Sequence, residues 1–190
     1  MSRGRLRAAA VAITVLSTIE ATLADDWTKP VEVLHETTHC LSYRARLAGP
    51  YLIVRVNLEP GWHTFAMDNQ QRAEEKLAGK RSLGIERSTE VRVPAGLEVI
   101  GPWYQTPPKD SSKPELNWFT WIFDQEALFV ARVRRSGTTP ARIAVRGQAC
   151  AESICKNIDV ELALPLAGGG SAANASDIDL STLVQVRQPR

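Results

Sequence analysis

The chain has 190 residues, 23 basic and 21 acidic side chains and a formal net charge of +2, with no basic stripe interleaved with aromatics, which excludes a nucleic-acid-binding surface. At 44% hydrophobic residues it can bury one sizeable core, and after its first two dozen residues no apolar run approaches the roughly eighteen needed to span a membrane. Three cysteines permit one disulfide with one thiol left over.

Met1 to Ala24 reads as a secretory signal: Arg3, Arg5 and Arg7 form the basic region, Ala8 to Ile19 the apolar stretch, and Thr22-Leu23-Ala24 the small-residue cleavage site. Without it, Lys+Arg falls from 23 to 20 and Asp+Glu from 21 to 20, so the mature chain is close to neutral. The expected location is periplasmic or secreted. Residues 25–166 are expected to form one domain, and 167–190 a flexible linker and C-terminal tail.

From Pro30 the hydrophobic pattern has period two. Val31 and Val33, then Leu41, Tyr43, Ala45 and Leu47, then Leu52, Val54, Val56 and Leu58 define three strands with one buried face each. Pro60-Gly61 ends the third, and Trp62 is read as a core anchor.

His35-Glu36-Thr37-Thr38-His39 matches the zinc-protease motif, whose two imidazoles share a face only on a helix. Paired threonines and the flanking alternation favour extended chain, so no catalytic zinc is expected. A weaker possibility is a soft metal held by His35, His39 and Cys40, with His63 if it lies close. The plainer reading makes these histidines surface residues and Cys40 a small buried hydrophobe. A mixed disulfide through Cys40 to another chain also stays open.

Residues 68–79 read as a short surface helix capped by Asp68 or Asn69 and stopped by Gly79. Strands are expected again at Glu90 to Pro94 and Leu97 to Ile100, with Gly96 as a turn between them. Gly101 to Phe123 is rich in proline and aromatics, and its polar middle, Thr106 to Glu115, reads as a loop. Phe123 to Val133 and Ala141 to Ala149 complete the sheets. After Pro165 the Gly/Ala/Ser-rich stretch is a linker, and Asp179 to Val186 is a short apolar segment that either docks back or frays.

The chemistry centres on Arg146 to Asp159. Cys150 and Cys155 enclose a four-residue spacer between two alternating runs, which is a hairpin signal. Ending one strand and starting the next, they can meet at the Cα separation of about 5.5 Å that a disulfide prefers. Closing so short a loop contributes only about 2 kcal/mol, whereas joining Cys40 to Cys150 would contribute about 4 to 5. The spacing therefore favours redox chemistry over a structural clip. Glu152 disfavours a thiolate while Lys156 and Arg146 favour it, so no strongly acidified thiol is expected.

Gly147-Gln148-Ala149-Cys150 and, upstream, Pro60-Gly61-Trp62-His63-Thr64-Phe65 resemble two motifs of the periplasmic N-terminal domain of the thiol:disulfide interchange protein DsbD. The resemblance covers residues 30 to 165. It implies an all-β, immunoglobulin-like antiparallel sandwich with one short inserted helix, and a late hairpin carrying the reactive pair Cys150 and Cys155. It also implies an aromatic cap over the pair, for which Trp118 and Phe119 are the candidates, and Cys155 as the first attacking thiol. No cofactor or metal is implied. The implied function is thiol–disulfide exchange with a thioredoxin-like or membrane-embedded thiol:disulfide reductase. Whether the chain is itself an enzyme stays open, and the competing reading is an exported binding or accessory module with a purely structural disulfide.

Overall fold

The computed structural model describes residues 27–82, 84–137, 140–165 and 178–188. The expected signal sequence and most of the expected linker lie outside the described residues. Among the described residues eleven strands and one α-helix are formed, and every strand pair is antiparallel.

One layer pairs β1 (Val31–His35), β2 (Thr38–Ala48), β3 (Tyr51–Leu58), β8 (Ala127–Ser136) and β5 (Glu90–Gln105) in that order. The other runs from β5 to β9 (Ala141–Cys150), which carries β10 (Cys155–Leu164) as well as β4 (His63–Phe65). Beyond β4 lie β7 (Trp121–Phe123) and β6 (Lys109–Asp110). The inward residues of both layers meet in one core: Tyr43 and Ala45 of β2, Leu52 and Val54 of β3, Phe129 of β8, Ile143 and Val145 of β9, and Ile158 and Leu162 of β10. Each such aliphatic side chain contributes about 1.5 to 3 kcal/mol by leaving water. The period-two strands form as expected and build the all-β sandwich that the resemblance implies, and Trp62 is buried in its core.

The two strands expected at Glu90 to Pro94 and Leu97 to Ile100 are instead one long strand, and Gly96 does not reverse it. Up to Ala95, β5 pairs with β9; from Gly96 onward it pairs with β8, so it passes from one layer to the other. Gly96 has φ +82°, and a Cβ there would lie 2.6 Å from the Ala141 Cα. After an irregularity between Val99 and Trp103 the strand extends to Gln105, with Trp103 to Gln105 paired to β8. The loop beyond is shortened by β6 and by a 3-10 turn at Pro114–Leu116. The expected run Phe123 to Val133 divides into β7 and β8.

Helix α1 (Asn69–Leu77) forms where expected, with Ala73 and Leu77 buried one turn apart. Its capping differs. Asp68 stands at the N-cap but makes no cap bond; its buried carboxylate accepts from Arg72 Nε (2.8 Å), Gln105 Nε2 (2.7 Å) and the Arg187 backbone N–H (3.1 Å). At the other end the left-handed C-cap is Ala78, and Gly79 follows it at φ +83° as the expected stop. Of the two outcomes open for the C-terminal segment, the structure shows docking. β11 (Val184–Gln185) pairs with β5, while Ile178, Leu180 and Leu183 cover Ile53 and Val130 on the face of their layer away from the main core.

Candidate functional site: the β9–β10 hairpin disulfide

β9 and β10 stay in register from Ala141↔Leu164 to Cys150↔Cys155, where a disulfide joins the two cysteines at the tip. The Ala151 N–H donates to the Ile154 carbonyl and closes the loop. Bonds alternate along an antiparallel ladder, so the neighbouring Cys150–Cys155 pair is the close, non-hydrogen-bonded kind. Its Cα atoms are 4.0 Å apart, nearer than the expected 5.5 Å, because that figure belongs to the wider kind of pair.

The two sulfur-bearing residues occupy different surroundings. Cys150 is 3% exposed and clusters with Phe65 of β4 and Ile122 of β7, whereas Cys155 is exposed, next to Ile154 at 42%. This follows from alternation along the strands. Ala149, Thr64, Trp121 and Phe123 take inward positions, which puts Cys150, His63, Phe65 and Ile122 together on the outer face of their layer.

β4 reaches Cys150 through a turn written in the sequence. Trp62 N–H donates to the Glu59 carbonyl across Pro60-Gly61, with Gly61 at φ +85°. His63 then lies opposite Cys150 and Thr64 opposite Ala149. Buried hydroxyls fix that docking: Thr64 Oγ1 donates to the Gln148 carbonyl (2.9 Å) and Thr89 Oγ1 to the Phe65 carbonyl (2.6 Å). A Cβ at Gly147 would come 3.2 Å from the Thr89 Cα, so the glycine of Gly147-Gln148-Ala149-Cys150 lets the Thr89 backbone approach.

Burial holds the His63 imidazole below its ordinary pKa, partly offset by the negative charge of Asp124. Its ring meets Phe65 edge-on at 5.4 Å, and Asp124 is bonded to Lys109 Nζ at 2.7 Å. Arg146, counted in the sequence as favouring a thiolate, is paired with Asp159 at 3.2 Å.

The cap candidates sit in the chain leading into β7. Trp118 is half-buried, closes a small hairpin with Lys113 (Lys113 N–H to Trp118 O, 2.7 Å) and carries the Lys113 ammonium 5.0 Å above its ring. Phe119, also half-buried, packs on the main core. The side chains that cluster with Cys150 are Phe65 and Ile122, which sequence reasoning did not single out. A signal was present for Phe65: it alternates with His63 directly after the Pro60-Gly61 turn.

The His35-to-His39 stretch forms no helix. It is a hairpin between β1 and β2 with Glu36 at φ +55°. His39 Nδ1 lies 3.0 Å from Glu59 Oε1, His35 faces Trp62 at 6.3 Å, and Cys40 is fully buried with its thiol toward the Thr38 carbonyl (3.5 Å). Burial pushes the Cys40 thiol up. Among the described residues no group of three or more His, Cys, Asp or Glu side chains is placed to hold a metal ion, and no helix is long and apolar enough to cross a membrane.

The fold and site together define an immunoglobulin-like sandwich with a disulfide at the tip of a late hairpin. The fold is similar to that of DsbD/ScsB N-terminal periplasmic domains. The N-terminal periplasmic domain of ScsB from Proteus mirabilis superposes at a TM-score of 0.52 with 16% identity, over 73% of this chain and 51% of that one. This chain thus spans about half the length of that structure. Two Neisseria meningitidis structures also match at 14% identity. The reduced DsbD N-terminal domain has a TM-score of 0.45, over 78% of this chain and 91% of its own. The complex of the DsbD and PilB N-terminal domains has a TM-score of 0.42, over 68% and 84%. No protein-family model and no curated protein sequence matches the chain.

Proposed function

We propose that the chain is an exported thiol–disulfide exchange module that relays electrons through Cys150 and Cys155. The observation that carries this reading is the asymmetry of the disulfide: one exposed cysteine for a partner to engage and one buried cysteine to resolve the intermediate. The exposed Cys155 thiolate attacks a partner disulfide and forms a mixed disulfide. Cys150 then displaces the partner thiolate and closes the internal bond; the reverse sequence reloads the pair. The partner is a thioredoxin-like or membrane-embedded thiol:disulfide reductase, met in the periplasm or outside the cell after residues 1–24 direct export. The chain between β6 and β7, with Trp118 and Phe119, acts as the cap, because it leads into the strand whose Ile122 lies on Cys150.

The reduction potential of the mature domain carrying Cys40→Ser tests the reading. A value of roughly −250 to −150 mV supports exchange. One below about −300 mV marks a structural clip and overturns it in favour of a binding module.

A further inference from the structure

His63 is directly opposite Cys150 in the β4–β9 ladder, and opposed residues on one face hold their Cβ atoms about 5 Å apart. The imidazole is braced edge-on by Phe65, which itself belongs to the cluster around Cys150. The negative charge of Asp124, which is bonded to Lys109, acts on the same imidazole. A half-buried imidazole thus stands opposite the buried cysteine and under the negative charge of a carboxylate, a combination that lets a histidine hold a proton taken from a thiol.

We infer that His63 is the proton acceptor for Cys150 in the resolving step. The inference rests on the exchange reading and assigns the chemistry of its second half. In the mixed disulfide, the Cys150 thiol gives its proton to neutral His63, and the resulting thiolate attacks the Cys155 sulfur. The Cys150–Cys155 bond forms, the Cys155–partner bond breaks, and the partner leaves as a thiolate. The pair is oxidised by two electrons and the partner disulfide reduced by two. The proton on His63 passes to solvent. The charged groups around the imidazole are Asp124 from the β7–β8 turn and Lys109 from β6, already paired with each other, so Asp124 favours the imidazolium without neutralising it fully.

The imidazole is partly buried, and burial lowers its pKa. It is therefore neutral, and able to accept, at pH values where an ordinary thiol is almost wholly protonated.

The test is stopped-flow reaction of the reduced mature protein, carrying Cys40→Ser, with an aromatic disulfide whose released thiolate is coloured. The first release, dependent on reagent concentration, reports attack by the exposed thiol; the second, independent of it, reports resolution. In His63→Gln the second phase is expected to slow on the order of tenfold near pH 6.5 and its inflection to move into the ordinary thiol range. The first phase should keep its rate and pH profile. Asp124→Asn, off the ladder and exposed, removes the charge that favours the imidazolium, so it should move the second-phase inflection to lower pH and slow its plateau, and it carries the test if His63→Gln does not fold. An unchanged second-phase profile in the folded variants overturns the role of His63. A wild-type pair that releases no coloured thiolate at all overturns the exchange reading instead.

Discussion

Gly96 meets the backbone of Ala141 so closely that a Cβ on it would lie 2.6 Å from the Ala141 Cα and 2.9 Å from the Pro140 carbonyl oxygen. This contact is the corner at which β5 leaves the β9 layer for the β8 layer, and the backbone there has φ +82°. Both neighbouring atoms are main chain, so neither can rotate away. Gly96→Ala is expected to cost on the order of 2 to 4 kcal/mol, from steric displacement added to left-handed strain. Urea unfolding checks it; a midpoint within error of wild type would mean that the two layers are not pinned at this corner. Gly137→Ala, also at positive φ but with nothing within 4 Å of the added carbon, serves as the control and should cost less.

Asp68 links three separate parts of the chain: helix α1 through Arg72, the end of β5 through Gln105, and the C-terminal segment through the Arg187 N–H. Burial alone would raise its carboxyl, but the bonds from Arg72, Arg187 and Gln105 outweigh that and hold it below the usual carboxylate value. A depressed pKa contributes stability that is complete above the unfolded value of about 3.9 and is lost as pH falls through the folded one. Asp68→Asn should therefore be less stable than wild type at pH 7, with the gap closing at lower pH. Amide exchange at Arg187 should quicken in the variant, because its acceptor is weakened. An unchanged gap between pH 7 and pH 3 would remove Asp68 from the pH dependence of this fold.

Cys40 is fully buried on β2, and burial raises its thiol pKa. Folded, oxidised protein should take up no alkylating reagent, and one equivalent should enter only on unfolding, at Cys40. Cys40→Ser is expected to cost about 1 to 2 kcal/mol, since the hydroxyl inherits the Thr38 carbonyl as acceptor but sits in an apolar setting. Mass spectrometry of the alkylated protein reads the first outcome and thermal unfolding the second. Rapid labelling of the native protein would instead show that Cys40 is open to a mixed disulfide.

The sequence foreshadowed what depends on neighbours along the chain. Strands β2 and β3 show their alternation because one face is buried against the opposite layer, and the cysteine hairpin is legible because its turn and both flanks lie in one continuous stretch from Ala141 to Leu164. The corner at Gly96 was not legible, since a glycine at positive φ serves a turn and a layer crossing equally well. Asp68 has the composition of an N-cap, but Arg72 within the helix and Gln105 and Arg187, distant in sequence, recruit its carboxylate elsewhere. The covering of Cys150 was likewise hidden. It requires β4 to pair with β9 and β7 with β4, contacts between residues some sixty to ninety positions apart.

The unequal exposure of the two cysteines gives the last prediction. With Cys40→Ser as background, Cys150→Ser leaves Cys155 alone at the exposed hairpin tip, and Cys155→Ser leaves Cys150 alone beneath Phe65 and Ile122. Attack on a disulfide requires the thiolate to reach sulfur along the bond, so access limits the rate. The Cys150→Ser protein should form a mixed disulfide with oxidised glutathione at least about tenfold faster than the Cys155→Ser protein at the same pH. Opening the cover with Phe65→Ala should bring the two rates together by accelerating only the Cys150 thiol, provided the variant keeps its folded near-UV spectrum. Equal rates in the two single-thiol proteins before that change would show that the cover opens faster than exchange occurs, and would make Cys150 as eligible as Cys155 for the first attack.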